Sequence, residues 1–353
     1  MTETRAPGPS PDPRIPVTLL TGFLGSGKTT ILNHLVGQTE MSDALVIINE
    51  FGQIGLDHML VAQSEDSATV RLDNGCICCT IRSDLLRTLN DLPWRFSRNG
   101  QRQFSRVLIE TTGLADPAPI INTLVNGSAL TGKYRLQSVV TAVDAVSGLE
   151  TLDDHPQAVK QVALADCLII TKTDQFAALA AGKPLATRLT QLNPQALRYR
   201  IRHGQADPAW FAAAAQTRPD VVVEAPAVGH GSDISALCLT PVAGQSLAVW
   251  ADWQAALIER LGDDLFRLKG LVFVDATHRA QILQSVQHIV MPPASPVTSP
   301  GESNGQIVLI GRDLSWERLG QPRSGGSLVM PATSVQQDQA PDQNRQHNRH
   351  QHG

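Results

Sequence analysis

The stretch "TGFLGSGKTT", residues 21–30, directly follows the apolar run 15–20 and restricts the possible folds more than any other segment of the chain. Gly22-x-x-x-x-Gly27-Lys28-Thr29 has the spacing of a phosphate-binding loop, which works only between a buried strand and the first turn of a helix. Gly22, Gly25 and Gly27 allow backbone N–H groups to turn inward around a phosphate, and Ser26 and Thr30 belong to the same phosphate-facing stretch. Lys28 is placed to bridge the β- and γ-phosphates, and Thr29 to offer its hydroxyl to Mg²⁺. A turn serving geometry alone requires neither the lysine nor the threonine at these places. The spacing predicts a helix over 30–36.

Further apolar runs of strand length recur at 44–48, 107–109, 138–143 and 167–170, with helix-compatible stretches between several of them. That alternation predicts an α/β unit with a mostly parallel sheet flanked by helices. With 353 residues the chain has room for two folded units. The first is expected over 15–224, and the Pro- and Gly-containing stretch 225–233 reads as a linker. The second, over 234–320, reads as a smaller α+β domain with strands at 234–239, 271–274, 282–291 and 307–310 and a helix at 251–261. A mobile loop is expected over 292–305. The N-terminus, 1–14, and the Gln-, Asn- and His-containing tail, 321–353, lack the large apolar residues that would offset the entropy of ordering, and are expected to be disordered.

Two more motifs concern the nucleotide. In "VLIETTGLAD" the strand 107–109 delivers Glu110 to its carboxyl end, where a carboxylate can hold Mg²⁺ or its water, and Gly113 can then approach a γ-phosphate. In "LIITKTD", Asp174 follows an apolar strand and can accept from both the N1–H and the 2-amino group of guanine, two donors that adenine lacks. Lys172 can lie along the base. Leaving such groups unpaired against adenine carries a large penalty, so GTP is the expected nucleotide.

The chain also carries "NGCICCT", residues 74–80. Cys76, Cys78 and Cys79 share a short loop in this reading, and their thiolates suit Zn²⁺, Co²⁺ or Cu⁺. Three protein ligands leave a fourth position open. Adjacent Cys78 and Cys79 need not face one ion together, so two thiolates with an outside ligand such as Glu50 or His58 is an equal alternative. A metal shared by two copies would also answer the difficulty, which leaves a homodimer open. Glu50, after the strand 44–48, could position the attacking water, contact Mg²⁺ through water or ligate the metal; the sequence does not choose. Cys167 and Cys238 lie within apolar strands and read as core.

The charge balance bears on partners. With 29 basic and 33 acidic residues the net charge is -4, which offers no electrostatic footprint for nucleic acid or an anionic membrane. No stretch approaches twenty uninterrupted apolar residues, and the polar N-terminus has no apolar signal region, so a cytoplasmic protein is expected.

Taken with Asn49-Glu50-Phe51-Gly52 and Ala115-Asp116-Pro117, these motifs resemble the CobW-like branch of the metal-related P-loop GTPases, relatives of the hydrogenase and urease nickel-insertion GTPases. The resemblance covers roughly residues 16–314, with "LFRLKG" (265–270) and "SVQH" (285–288) similar to the family's C-terminal domain. The Cys-x-Cys-Cys element is its most specific sign. One departure is Gln53, where many relatives carry a glutamate. The resemblance implies GTP hydrolysis coupled to loading of a transition metal, zinc first and cobalt next, and its delivery to a client protein. Lys28, Glu50 and Glu110 would then serve the chemistry. Loss of the γ-phosphate would release loops such as 49–55 and change the grip on the metal. The alternative reading is a P-loop nucleotide-dependent metal sensor or regulatory binding protein with a structural zinc and little turnover.

Overall fold

In the computed structural model of the chain, the described residues are 12–49, 69–71, 77–80, 85–175, 179–215, 234–274, 279–295, 305–319 and 328–331. The expected linker 225–233, Glu50, Gln53, His58 and Cys76 lie outside them.

The chain begins with β1 (Ile15–Gly22), α1 (Lys28–Val36), β2 (Ala44–Asn49), two short strands, β3 (Thr69–Arg71) and β4 (Ile77–Thr80), and α2 (Leu85–Arg95). A small hairpin, β5 (Ser97–Arg98) and β6 (Gln101–Arg102), leads into β7 (Arg106–Thr111), α3 (Ala118–Asn126) and β8 (Tyr134–Asp144). Then follow α4 (Gly148–Asp154), α5 (Pro156–Ala163), β9 (Cys167–Thr171), α6 (Leu179–Leu192), β10 (Leu197–Arg200) and α7 (Pro208–Ala215). The sheet runs β10-β9-β8-β1-β7-β2-β4-β3, parallel throughout except for β3, which pairs antiparallel with β4.

Side chains alternate between the two faces of a strand, and both faces of this sheet are apolar. Leu20, Val46, Ile48, Leu108 and Val140 pack with Ile31 and Leu35 of α1. Val17, Leu19, Leu45, Ile47, Val107 and Ile109 pack on the other side with Ile121 and Leu124 of α3. Burial on both faces explains why these strands read as unbroken apolar runs.

The second sheet is built from β11 (Ile234–Pro241), β12 (Leu265–Val274), β13 (Arg279–Val286), β14 (Ile289–Ala294), β15 (Gln306–Arg312) and β16 (Val329–Pro331), in the order β14-β13-β12-β15-β11-β16. All its pairings are antiparallel. Helix α8 (Leu247–Leu261), capped by Ser246 Oγ accepting from the Val249 amide, packs Trp250, Trp253 and Leu257 onto one face. Short helix α9 (Trp316–Leu319) closes the same side. From the other face Cys238, Phe266, Val308 and Ile310 join the core that holds Val17, Ile109 and Ala163. The two sheets therefore share one apolar core.

Several expectations change. Residues 77–80 form strand β4 rather than a loop, lying beside β2 in parallel register. The single strand expected over 282–291 is a hairpin, β13 and β14, turning at Gln287 with φ 51°. Residues 292–294, expected in a loop, belong to β14, and 329–331, expected in the disordered tail, form edge strand β16. Among the described residues no helix is long and apolar enough to cross a membrane.

Candidate nucleotide and metal site

β1 ends at Gly22 because nothing larger fits: a Cβ there would lie 2.4 Å from the Ala142 carbonyl oxygen, and its φ is 141°. Gly25 and Gly27 also have positive φ, 72° and 90°, a region glycine enters without strain. The Ser26 amide donates to the Phe23 carbonyl at 3.1 Å, closing the loop on itself. Helix α1 starts at Lys28 with no side-chain cap and no acidic residue in its first turn, so its amino-terminal N–H groups suit an anion.

Lys28 is only 8% exposed, and its ammonium donates to the carbonyls of Gly22 (2.9 Å) and Phe23 (3.0 Å). Thr29 Oγ1 donates to Glu110 Oε1 at 3.1 Å, which brings together the two side chains expected to share Mg²⁺. Their oxygens form the hard donor set that Mg²⁺ prefers. Glu110 is buried at the end of β7, opposite Leu20 of β1, and a 2.8 Å hydrogen bond from Thr111 Oγ1 to Thr21 Oγ1 ties the two strand ends together. Gly113 follows, pressed so closely on the loop that a Cβ would come 2.7 Å from the Leu24 nitrogen.

At the base end, Thr171 Oγ1 donates to the Ser26 carbonyl at 2.8 Å, fastening the "LIITKTD" segment to the phosphate loop. Lys172 has φ 54°, and its ammonium donates to Asp144 Oδ2 at 2.6 Å. Burial alone would raise the Asp144 carboxyl, but the hydrogen bonds from Lys172 and the Val146 amide outweigh it and hold the group below its usual value. Asp174 Oδ2 lies 3.9 Å from His203 Nδ1. Gly204 packs against Thr30 of α1, where a Cβ would sit 2.5 Å from the Thr30 carbonyl oxygen. Thr173, Arg200, Arg202 and Gln205 line the cleft at this end.

For the cysteines the backbone alone is described: β4 sets Cys78 beside Val46 and Cys79 beside Ile47, next to the strand that ends at Asn49. Among the described residues no three metal-capable side chains cluster. Cys167 and Cys238 are buried, and burial pushes their thiols up to about 12 and about 11, so both stay neutral. Sequence reading missed Asp144, which anchors Lys172, Gln161, which grips the turn after β7, and His203 beside Asp174. None stands in a recognisable spacing; each reaches its partner only through the fold.

Residues 16–199 match the CobW/HypB/UreG nucleotide-binding domain, and 240–322 match the cobalamin synthesis protein cobW C-terminal domain. The chain belongs to the CobW/HypB/UreG family. Among curated members it is 32% identical over 313 residues to the zinc chaperone YjiA of Escherichia coli (strain K12), spanning 86% of this chain and 96% of that protein. It is also 32% identical over 200 residues to the zinc chaperone CobW of Pseudomonas aeruginosa, covering 48% of this chain and 52% of the relative. The crystal structure of Zn(II)-bound YjiA GTPase from E. coli superposes with TM-score 0.66 at 31% identity, covering 87% of this CobW-family chain and 96% of that one. A Zn(II)-bound triple mutant of YjiA, with one glutamate and two cysteines changed to alanine, gives TM-score 0.67 at 30% identity, over 87% and 96% of the two chains.

Proposed function

We propose that this chain is a GTP-hydrolysing metallochaperone that binds zinc at the cysteine segment 76–79 and yields it to a client protein under control of the nucleotide. The observation that carries the reading is the convergence of Lys28, the Thr29–Glu110 pair and Gly113 at the carboxyl ends of adjacent parallel strands. The names of the relatives add zinc and chaperone activity. GTP would lie with its phosphates on residues 22, 25–30 and its base near Lys172 and Asp174, where the Asp174 carboxylate can accept from guanine. Lys28 would exchange its present carbonyl partners for phosphate oxygens, and Gly113 would meet the γ-phosphate. Mg²⁺, held by Thr29 and Glu110, would offset charge developing on the phosphates.

The cysteine-bearing β4 neighbours β2, whose end leads to Glu50. A change at the γ-phosphate would thus be felt two strands away from β7, through β2, at Cys78 and Cys79. Linkage then requires that bound metal alter nucleotide affinity by the same factor. The zinc-bound YjiA triple mutant lacks a glutamate and two cysteines, so metal binding by this chain must be read as its cysteine-dependent part.

The test is Zn²⁺ and Co²⁺ affinity by chelator competition, with Mg²⁺ and either a non-hydrolysable GTP analogue or GDP. Affinity should differ at least about tenfold between the nucleotides, the lower range of allosteric coupling, and the difference should vanish in Cys78→Ser. Equal affinity in both nucleotide states would move the structural-zinc sensor ahead.

A further inference from the structure

Helix α5 touches the nucleotide side and the second sheet at once. Gln161, 1% exposed, donates from its carboxamide nitrogen to the carbonyls of Gly113 (3.1 Å) and Ala115 (3.0 Å). Its own backbone carbonyl accepts from Thr141 Oγ1 of β8 at 2.8 Å, which fixes the helix on the sheet. Its carboxamide oxygen and Ser26 Oγ have no hydrogen-bond partner among the described residues, and both side chains line one small cavity behind the phosphate loop. The preceding residue, Lys160, pairs with Asp116 at 2.5 Å and lies over the Phe266 ring of β12. Just past the helix, Arg267 of β12 donates to the Leu164 carbonyl.

We propose that Gln161 is a positioning residue for the 113–116 turn: by holding two carbonyls of that turn it sets where Gly113 stands over the phosphate loop, and so sets the preference for GTP over GDP. The proposal deepens the GTPase reading and rests on it. Gly113 already lies against Leu24 of the phosphate loop; in the GTPase reading a terminal phosphate arrives beside this turn, where GDP has no group. A buried amide donating twice to one turn restrains that turn specifically. A glutamine that merely filled space would leave both nucleotides equally affected by its loss.

The experiment uses Gln161→Met in the full-length chain, which keeps length and volume and removes both donors. It measures equilibrium affinity for GDP and for a non-hydrolysable GTP analogue, each with Mg²⁺, alongside thermal unfolding. Affinity for the analogue should fall about tenfold, on the scale of two neutral hydrogen bonds, with GDP affinity changed less than about twofold. An equal fall for both nucleotides, or no fall, overturns the proposal. Gln161→Leu, which is of similar size and likewise lacks both donors, replaces the methionine variant if that one does not fold. If neither folds, the role is structural and the proposal fails. Failure of the unaltered protein to bind either nucleotide would instead sink the GTPase reading itself.

Discussion

Lys28 and Lys172 both belong to the candidate nucleotide site, and each ammonium has acceptors the chain supplies, two carbonyls for the first and the Asp144 carboxylate for the second. Lys28 was legible in the sequence because the loop spacing is itself the mechanism. Asp144 was not, because its partnership with Lys172 spans 28 positions and arises only when β8 and β9 lie side by side. The pairing makes the Asp144 carboxyl a weaker proton binder in the folded chain than in the unfolded one. Its contribution to stability is therefore complete above the unfolded value near pH 4 and is lost as pH falls through the lower folded value. Asp144→Asn should cost about 1–2 kcal/mol at neutral pH, with the gap in melting temperature to the native chain narrowing below about pH 4. A gap that widens on acidification would contradict this pairing.

At the scale of elements, the turn after β7 shows how a close approach dictates a residue. Gly113 has the backbone of Leu24 on its open side, so a methyl group there must push the turn off the phosphate loop. Gly113→Ala should keep the fold, lowering the melting temperature by a few degrees, and should reduce GTP turnover at least about tenfold with a smaller effect on GDP binding. Turnover and binding measured on one preparation test both halves. Other elements are not legible in the sequence, for identifiable reasons. The β13–β14 hairpin turns at Gln287 and His288, neither of which is a usual turn former, so the apolar pattern ran straight through it. In residues 77–80 the thiols suggest a ligand loop, while the pairing of Ile77–Thr80 with β2 depends on a strand much earlier in the chain. β16 is short and gains its order from pairing with β11 across a long sequence separation.

At the scale of the whole molecule, a buried charge cluster joins the two sheets. Asp166, at the head of β9, accepts from Arg267 and, at 3.0 Å, from Lys269 on β12, and its other oxygen accepts from the Val139 amide at 2.9 Å. Burial would raise the Asp166 carboxyl, but the charges of Arg267 and Lys269 and the amide hold it below its usual value. Lys269, by contrast, is lowered by burial, against the pull of Asp166. Removing the carboxylate would leave two cations buried together. Asp166→Ala should thus cost about 3–5 kcal/mol in urea unfolding. A cost below about 1 kcal/mol would mean that water reaches the cluster.

The sequence by itself determined the phosphate loop, the acidic-x-x-Gly turn, the likeness to GTPases and the alternation of strands and helices, because each rests on neighbours within a few positions or on a period that backbone geometry enforces. Tertiary structure alone decided that Thr29 meets Glu110, that Lys172 is held by Asp144, that Gln161 grips the 113–116 turn, and that Asp166 is shared between the sheets. Those contacts join residues 28 to 103 positions apart, and their partners are ordinary polar residues whose meaning depends on which strands become neighbours.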